Sequence, residues 1–67
     1  MTDYLPKKGD IRWYSYVEKK TDGKLIALLL EDFSEAGTKC FILSDTGGFH
    51  KPGEITQIYG LDTAKLL

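Results

Sequence analysis

Cysteine is almost missing from this chain. Cys40 stands alone, so no disulfide can close within the chain and the fold must rest on its core. A lone thiol also suits a reducing compartment, where it behaves as a small buried hydrophobe. Histidine is equally scarce. His50 is the only one, with no cysteine or histidine at ligand spacing, which excludes a zinc site of the usual kind. Excess charge of either sign is lacking, with nine Lys and Arg against ten Asp and Glu. That balance argues against generic phosphate binding. Long apolar runs are lacking too. The longest, residues 25–30, falls far short of the ~20 residues of a spanning helix, and the start has no basic stretch followed by an apolar core. A cytoplasmic protein without membrane contact is expected.

Catalytic and cofactor motifs are also wanting. Thr46-Gly-Gly-Phe-His-Lys51 invites comparison with a phosphate loop. However, that loop needs G-x-x-x-x-G-K-[ST] opening a helix, and here Lys51 precedes Pro52. The stretch instead reads as a glycine-rich loop with Phe49 anchoring its tip. Glu31, Asp32 and Glu35 cluster in sequence without EF-hand spacing or an implied catalytic partner, and read as a solvated acidic loop. No catalytic residue, metal or cofactor is expected.

What is present is a strong hairpin signal. Asp22-Gly23 lies between the aromatic run 11–17 and the aliphatic run 25–30. A tight hairpin needs φ > 0, which Gly takes freely and Asp tolerates. A strand is expected over 11–18, with Ile11, Trp13, Ser15 and Val17 on the core face. Arg12, Tyr14, Tyr16 and Glu18 then point outward. Further strands are expected over 24–32, 38–44 and 54–59, with residues 1–8 as a lead-in arm. The tail 61–67 reads as one short helical turn, capped by Asp62 and stapled by Leu61 and Leu66. Leu25, Leu28, Leu29, Phe33 and Ala36 also fit a helical stripe, giving an α+β alternative with a helix at 25–36 and Gly37 as its C-cap. Against it, Lys24 at its start and Glu31, Asp32 and Glu35 at its end oppose the helix dipole. The expected fold is therefore a single all-β domain over 1–67: a small SH3-like antiparallel barrel or bent sheet of four or five strands, with a short C-terminal helical turn.

Two functional readings follow. Arg12, Tyr14 and Tyr16 would form an outward aromatic and cationic ledge, suited to anchoring a protein or stacking a base. The run of Leu25, Ile26, Ala27, Leu28, Leu29 and Leu30 is apolar on both faces, whereas so small a domain has interior room for one. The other face would meet a loop, the tail or a second copy, so a homodimer through this run is expected. The first reading is a non-catalytic protein-interaction module, a small accessory or regulatory protein of the kind mobile elements encode.

The second reading starts from Lys8-Gly-Asp-Ile-Arg-Trp13, a turn ending in Gly23, the basic Lys24 and an aliphatic strand. This pattern over residues 8–30 resembles the N-terminal half of MazF/PemK-type toxin endoribonucleases. The resemblance implies an SH3-like barrel, usually dimeric, that cuts RNA without a metal, with the family's later Ser or Thr at Ser44 or Thr46. Where the family has arginine followed by proline, this chain has Lys24 followed by Leu25. On this alternative Arg12, Lys24 and His50 hold phosphate, and Tyr14 or Tyr16 stacks a base. The residues proposed to meet a protein or nucleic acid are thus Arg12, Tyr14, Tyr16, Lys24, Phe49 and His50.

Overall fold

The computed structural model describes residues 4–16 and 23–67. They form one antiparallel sheet of five strands: β1 (Ile11–Ser15), β2 (Lys24–Leu29), β3 (Thr38–Asp45), β4 (Ile55–Ile58) and β5 (Lys65–Leu66). The strand order is β4-β3-β2-β1-β5. The sheet is bent but not closed, since β4 and β5 remain its two edges, and the domain measures 26 × 25 × 21 Å. β1 and β2 pair antiparallel as a hairpin, from Ile11 opposite Leu28 to Ser15 opposite Lys24. Gly23, expected at φ > 0 in a tight turn, is not among the glycines with positive φ and prolongs the ladder instead. The Tyr16 amide donates to the Gly23 carbonyl beyond the last pair. The turn residue Asp22 and the strand positions Val17 and Glu18 lie outside the described residues.

The helix considered for 25–36 does not form. β2 occupies its first half, and 30–37 is irregular, with Gly37 at φ 114°. Leu25, Ala27 and Leu29 alternate inward and are almost wholly buried, a period-two pattern that a helix would have dispersed around its axis. β3 carries a bulge. Ile26 pairs with Ser44 but Ala27 with Ile42, which leaves Leu43 as the extra residue, half exposed.

The tail keeps the expected short helical turn, but over fewer residues than 61–67. A 3-10 turn spans Leu61–Thr63, and the chain then extends as β5 against β1, with Arg12 opposite Leu66 and Trp13 opposite Lys65. Asp62 does not cap the turn; its N-cap is Gly60 in the left-handed region, without a side-chain cap. Leu61 is buried, whereas Leu66 is exposed on the strand and makes no staple.

The largest correction concerns the faces of β1. Paired residues of antiparallel strands project to the same side. Arg12 and Tyr14 lie opposite Ala27 and Leu25, so they share the inward face with Leu29, Cys40 and Ile42. Arg12 is 1% exposed and Tyr16 4% exposed, and Tyr14 is partly buried against the core. The outward ledge of Arg12, Tyr14 and Tyr16 therefore does not exist. Ile11 and Trp13, expected in the core, lie on the outer face.

Arginine tolerates this burial because its donors are occupied. Nε and Nη2 donate to Asp10 Oδ2 at 3.2 and 3.0 Å, Nη1 to the Ala64 carbonyl at 3.0 Å, and Nη2 to the Tyr4 carbonyl at 2.9 Å. The Tyr4 ring lies 4.8 Å from the guanidinium carbon. The lead-in segment is thereby fastened to the sheet. Pro6 is fully buried, its carbonyl accepts from Phe33, and the Gly9 amide donates to the Leu29 carbonyl. Asp32, expected to be merely solvated, accepts from the Lys8 amide at 2.9 Å.

Candidate interaction surface

The bent sheet divides the expected site residues into three places. Arg12 lies within the fold, bonded to Asp10, Tyr4 and Ala64. Its partner Asp10 also accepts from the Lys7 amide and the Tyr4 hydroxyl. Burial pushes the Asp10 carboxyl up. The Lys7 amide, the guanidinium and the Tyr4 hydroxyl together outweigh it, holding the group below its ordinary 3.8.

The second place is a ring cluster that organises the loop after β3. Tyr14 and Tyr16 meet edge to face at 5.3 Å, and Phe49 lies 4.7 Å from Tyr16. Phe49 thus anchors the loop, as its position suggested. The Asp45 carboxylate accepts from the Tyr16 hydroxyl at 2.7 Å, the His50 amide at 2.8 Å and the Gly47 amide at 2.9 Å. The loop passes so close to the ring that a Cβ at Gly47 would sit 2.6 Å from Tyr16 Cδ2. Burial, then the bond to Asp45, push the Tyr16 phenol well above its usual range. A phenol so held stays protonated and serves as a donor to the loop, not as a base. His50 Nδ1 lies 3.0 Å from Glu54 Oε2. That contact, then the Lys51 amide, hold the Glu54 carboxyl below its ordinary 4.5. His50 is thus engaged within its own loop. Cys40 is fully buried, and burial pushes its thiol up to about 11, which removes it as a nucleophile. No group of three or more His, Cys, Asp or Glu able to hold a metal occurs among the described residues.

The third place is the outer face of the sheet. One row crosses four strands: Ile55 on β4, Phe41 on β3, Leu28 on β2 and Ile11 on β1. Ile55 is 59% exposed and Ile11 38%; Phe41 and Leu28 are half-buried. The next row carries Ile26 and Trp13, with Leu43 at the bulge beside it. Polar positions bound these rows: Lys39 opposite Gln57 at one end, Ser15 opposite Lys24 at the other. An apolar centre with a polar rim is the usual anatomy of a contact surface. The surplus face of the run 25–30 is thus Ile26 and Leu28. Leu25 and Leu29 belong to the protein's own core and offer nothing to a second copy.

At the corner of this face, the ammonium groups of Lys24 and Lys65 lie 5.0 and 5.8 Å from the Trp13 ring centroid. No carboxylate of the described residues pairs with either. A recess of about 270 Å³ opens beside them, lined by Trp13, Tyr14, Ser15, Thr63 and Lys65. Of the expected site residues, Lys24 stands at this corner and Tyr14 lines the recess. Trp13, Lys65 and Thr63 escaped notice because their meeting depends on β5, which the sequence disguises as part of a helical turn.

No family model, curated protein or solved structure matches this chain.

Proposed function

We propose that the protein is a non-catalytic protein-interaction module, a small accessory or regulatory protein that works through the outer face of its sheet. The observation that carries this reading is the row of Ile55, Phe41, Leu28 and Ile11. Exposed apolar surface continuous across four strands, on a domain this small, is surface whose burial by a partner is favourable at roughly 25 cal/mol per Å². The ionisable groups support the same reading from the other side. Arg12, Tyr16, Asp45, His50 and Glu54 are engaged in holding the fold or its loop. The strand order, with a 3-10 turn ahead of a last strand returning to the first, supports an SH3-like assignment.

The test is selection from a random peptide library on immobilised wild-type protein, repeated with Trp13→Ala and Ile55→Lys. Binders are expected whose affinity falls about tenfold or more in at least one variant, the effect of losing a central anchor. Binders indifferent to both variants, or none at all, count against the reading. Sedimentation of the free protein across a concentration series reports whether a second copy is the partner.

The corner of Trp13, Lys24 and Lys65 favours a second reading, a MazF-like RNA-binding or RNA-cleaving protein. Lys24 stands where the resemblance implies a functional arginine, and an indole beside two cations suits a base and its phosphate. Arg12 and Tyr16 are withdrawn from that role by burial. Gel-shift and cleavage assays on single-stranded RNA separate the readings. Binding that weakens steeply with salt supports RNA, and undetectable binding at low salt without cleavage rejects it.

A further inference from the structure

The recess at the end of β5 adjoins an unfinished ladder. Backbone groups along a strand point alternately to its two neighbours. On β1 the Tyr16 amide donates toward β2, to Gly23, and the Ile11 carbonyl accepts on the opposite side, from Leu67. Residues 11, 13 and 15 therefore direct their backbone groups toward β5. β5 meets β1 only at Arg12 and Trp13, because the chain before Lys65 turns away through Leu61–Thr63. Among the described residues nothing pairs with Ser15 on that side. Its backbone donor and acceptor face the recess, whose walls are Trp13, Tyr14, Thr63 and Lys65.

The described charges at this point are of one sign. Lys24 and Lys65 both approach one indole, and no carboxylate of the described residues pairs with either. Like charges gathered at one ring repel one another, and an anion placed there would relieve them. An open strand edge selects an extended backbone, and the two ammonium groups at the Trp13 ring select an acid beside it. From this geometry we infer that the β1 edge at Ser15 accepts a short extended peptide, which continues the line of β5 and places an acidic side chain or terminal carboxylate at Lys24 and Lys65. The inference rests on the reading of the protein as a protein-interaction module and specifies the chemistry of its partner. A nucleic acid strand would bring the anion but not the backbone donor and acceptor that Ser15 can pair.

The probe is acetyl-Val-Thr-Val-Thr-Glu-amide, titrated into the wild-type protein and followed through its amide proton resonances. Saturable shifts at Ser15, Trp13 and Thr63 are expected, with hydrogen exchange at the Ser15 amide slowed about tenfold or more on binding. Replacing the terminal Glu by Lys should weaken binding about tenfold, and Lys65→Glu should reverse that preference. Analogues N-methylated in turn at each peptide amide separate strand addition from simple charge attraction, and at least one should lose binding. If all of them bind as well as the parent peptide, the inference fails. It fails also if the shifts fall on Ile55, Phe41 and Leu28, a result that would leave the interaction module standing with its partner elsewhere. Absence of any shift at millimolar peptide rejects the edge site outright. Binding of single-stranded RNA at the same corner, with no peptide bound, would reject it in favour of nucleic acid.

Discussion

At the scale of single residues, Arg12 is the most consequential position. Its guanidinium is buried and joins Asp10 to two backbone carbonyls. Arg12→Met keeps much of the side-chain volume but removes the donor of both carbonyls and the cation paired with Asp10, which keeps its bonds from the Lys7 amide and the Tyr4 hydroxyl. Removing one partner of a buried pair costs about 3–5 kcal/mol. Urea unfolding is expected to show a loss of that order, enough to take much of a small domain's stability. Asp10 gives a matching pH dependence. Its carboxyl is held below 3.8 in the folded state, so unfolding takes up a proton in that range. The stability it contributes is full above its ordinary value and fades as the pH falls through the folded value. Acid unfolding followed by Trp13 fluorescence should therefore steepen below about pH 4, and Asp10→Asn should flatten that part of the curve while lowering stability at neutral pH. None of this was legible beforehand. Arginine is among the residues least often fully buried, and nothing in Asp10-Ile-Arg12 announces that two distant carbonyls will meet the same side chain.

At the scale of elements, β2 was the most legible part and β1 the least. Leu25, Ala27 and Leu29 alternate cleanly with the more exposed Lys24, Ile26 and Leu28, so a strand with an inner and an outer face follows from period alone. Two substitutions separate those faces. Leu29→Lys places a charge where the side chain is 1% exposed, and circular dichroism should show an unfolded chain. Leu28→Lys, on the half-buried outer face, should remain folded. β1 offered no such asymmetry. Trp13 and Ile11 on one side and Tyr14 and Tyr16 on the other are equally credible core residues. Alternation says that the faces differ, not which one turns inward. The register with β2 decides it, and the polar end of the buried Tyr16 is met by Asp45, which the Gly47 amide holds in turn. The tail was half legible: its short helical turn forms at Leu61–Thr63, but the strand after it was missed for a related reason. Asp62-Thr-Ala-Lys suits a helix start, but an edge was open on β1, and extending residues 65–66 along it satisfies backbone groups that a helical turn would have left beside it. The candidate site inherits both misreadings, since Trp13 was assigned to the core and Lys65 to a helix.

At the scale of the whole molecule, one side chain holds the two ends of the fold together. Arg12 donates from one guanidinium to the carbonyls of Tyr4 and Ala64, residues from the opening segment and from the stretch leading into the last strand. Positions 4 and 64 must then lie within the span of that group, and the path of the backbone is nearly a closed ring. The order in which the strands are synthesised is accordingly of little importance to the folded state. A chain whose original ends are joined by a short Gly/Ser linker can be opened elsewhere. The bond between Lys51 and Pro52 is the natural place, because both residues are exposed and proline has no amide hydrogen to lose from the structure. Such a circular permutant, beginning at Pro52 and ending at Lys51, should fold with the same amide spectrum away from the new ends. An Arg12→Met version of it should lose less stability than Arg12→Met costs the parent, because the linker then carries part of the task of keeping the ends together.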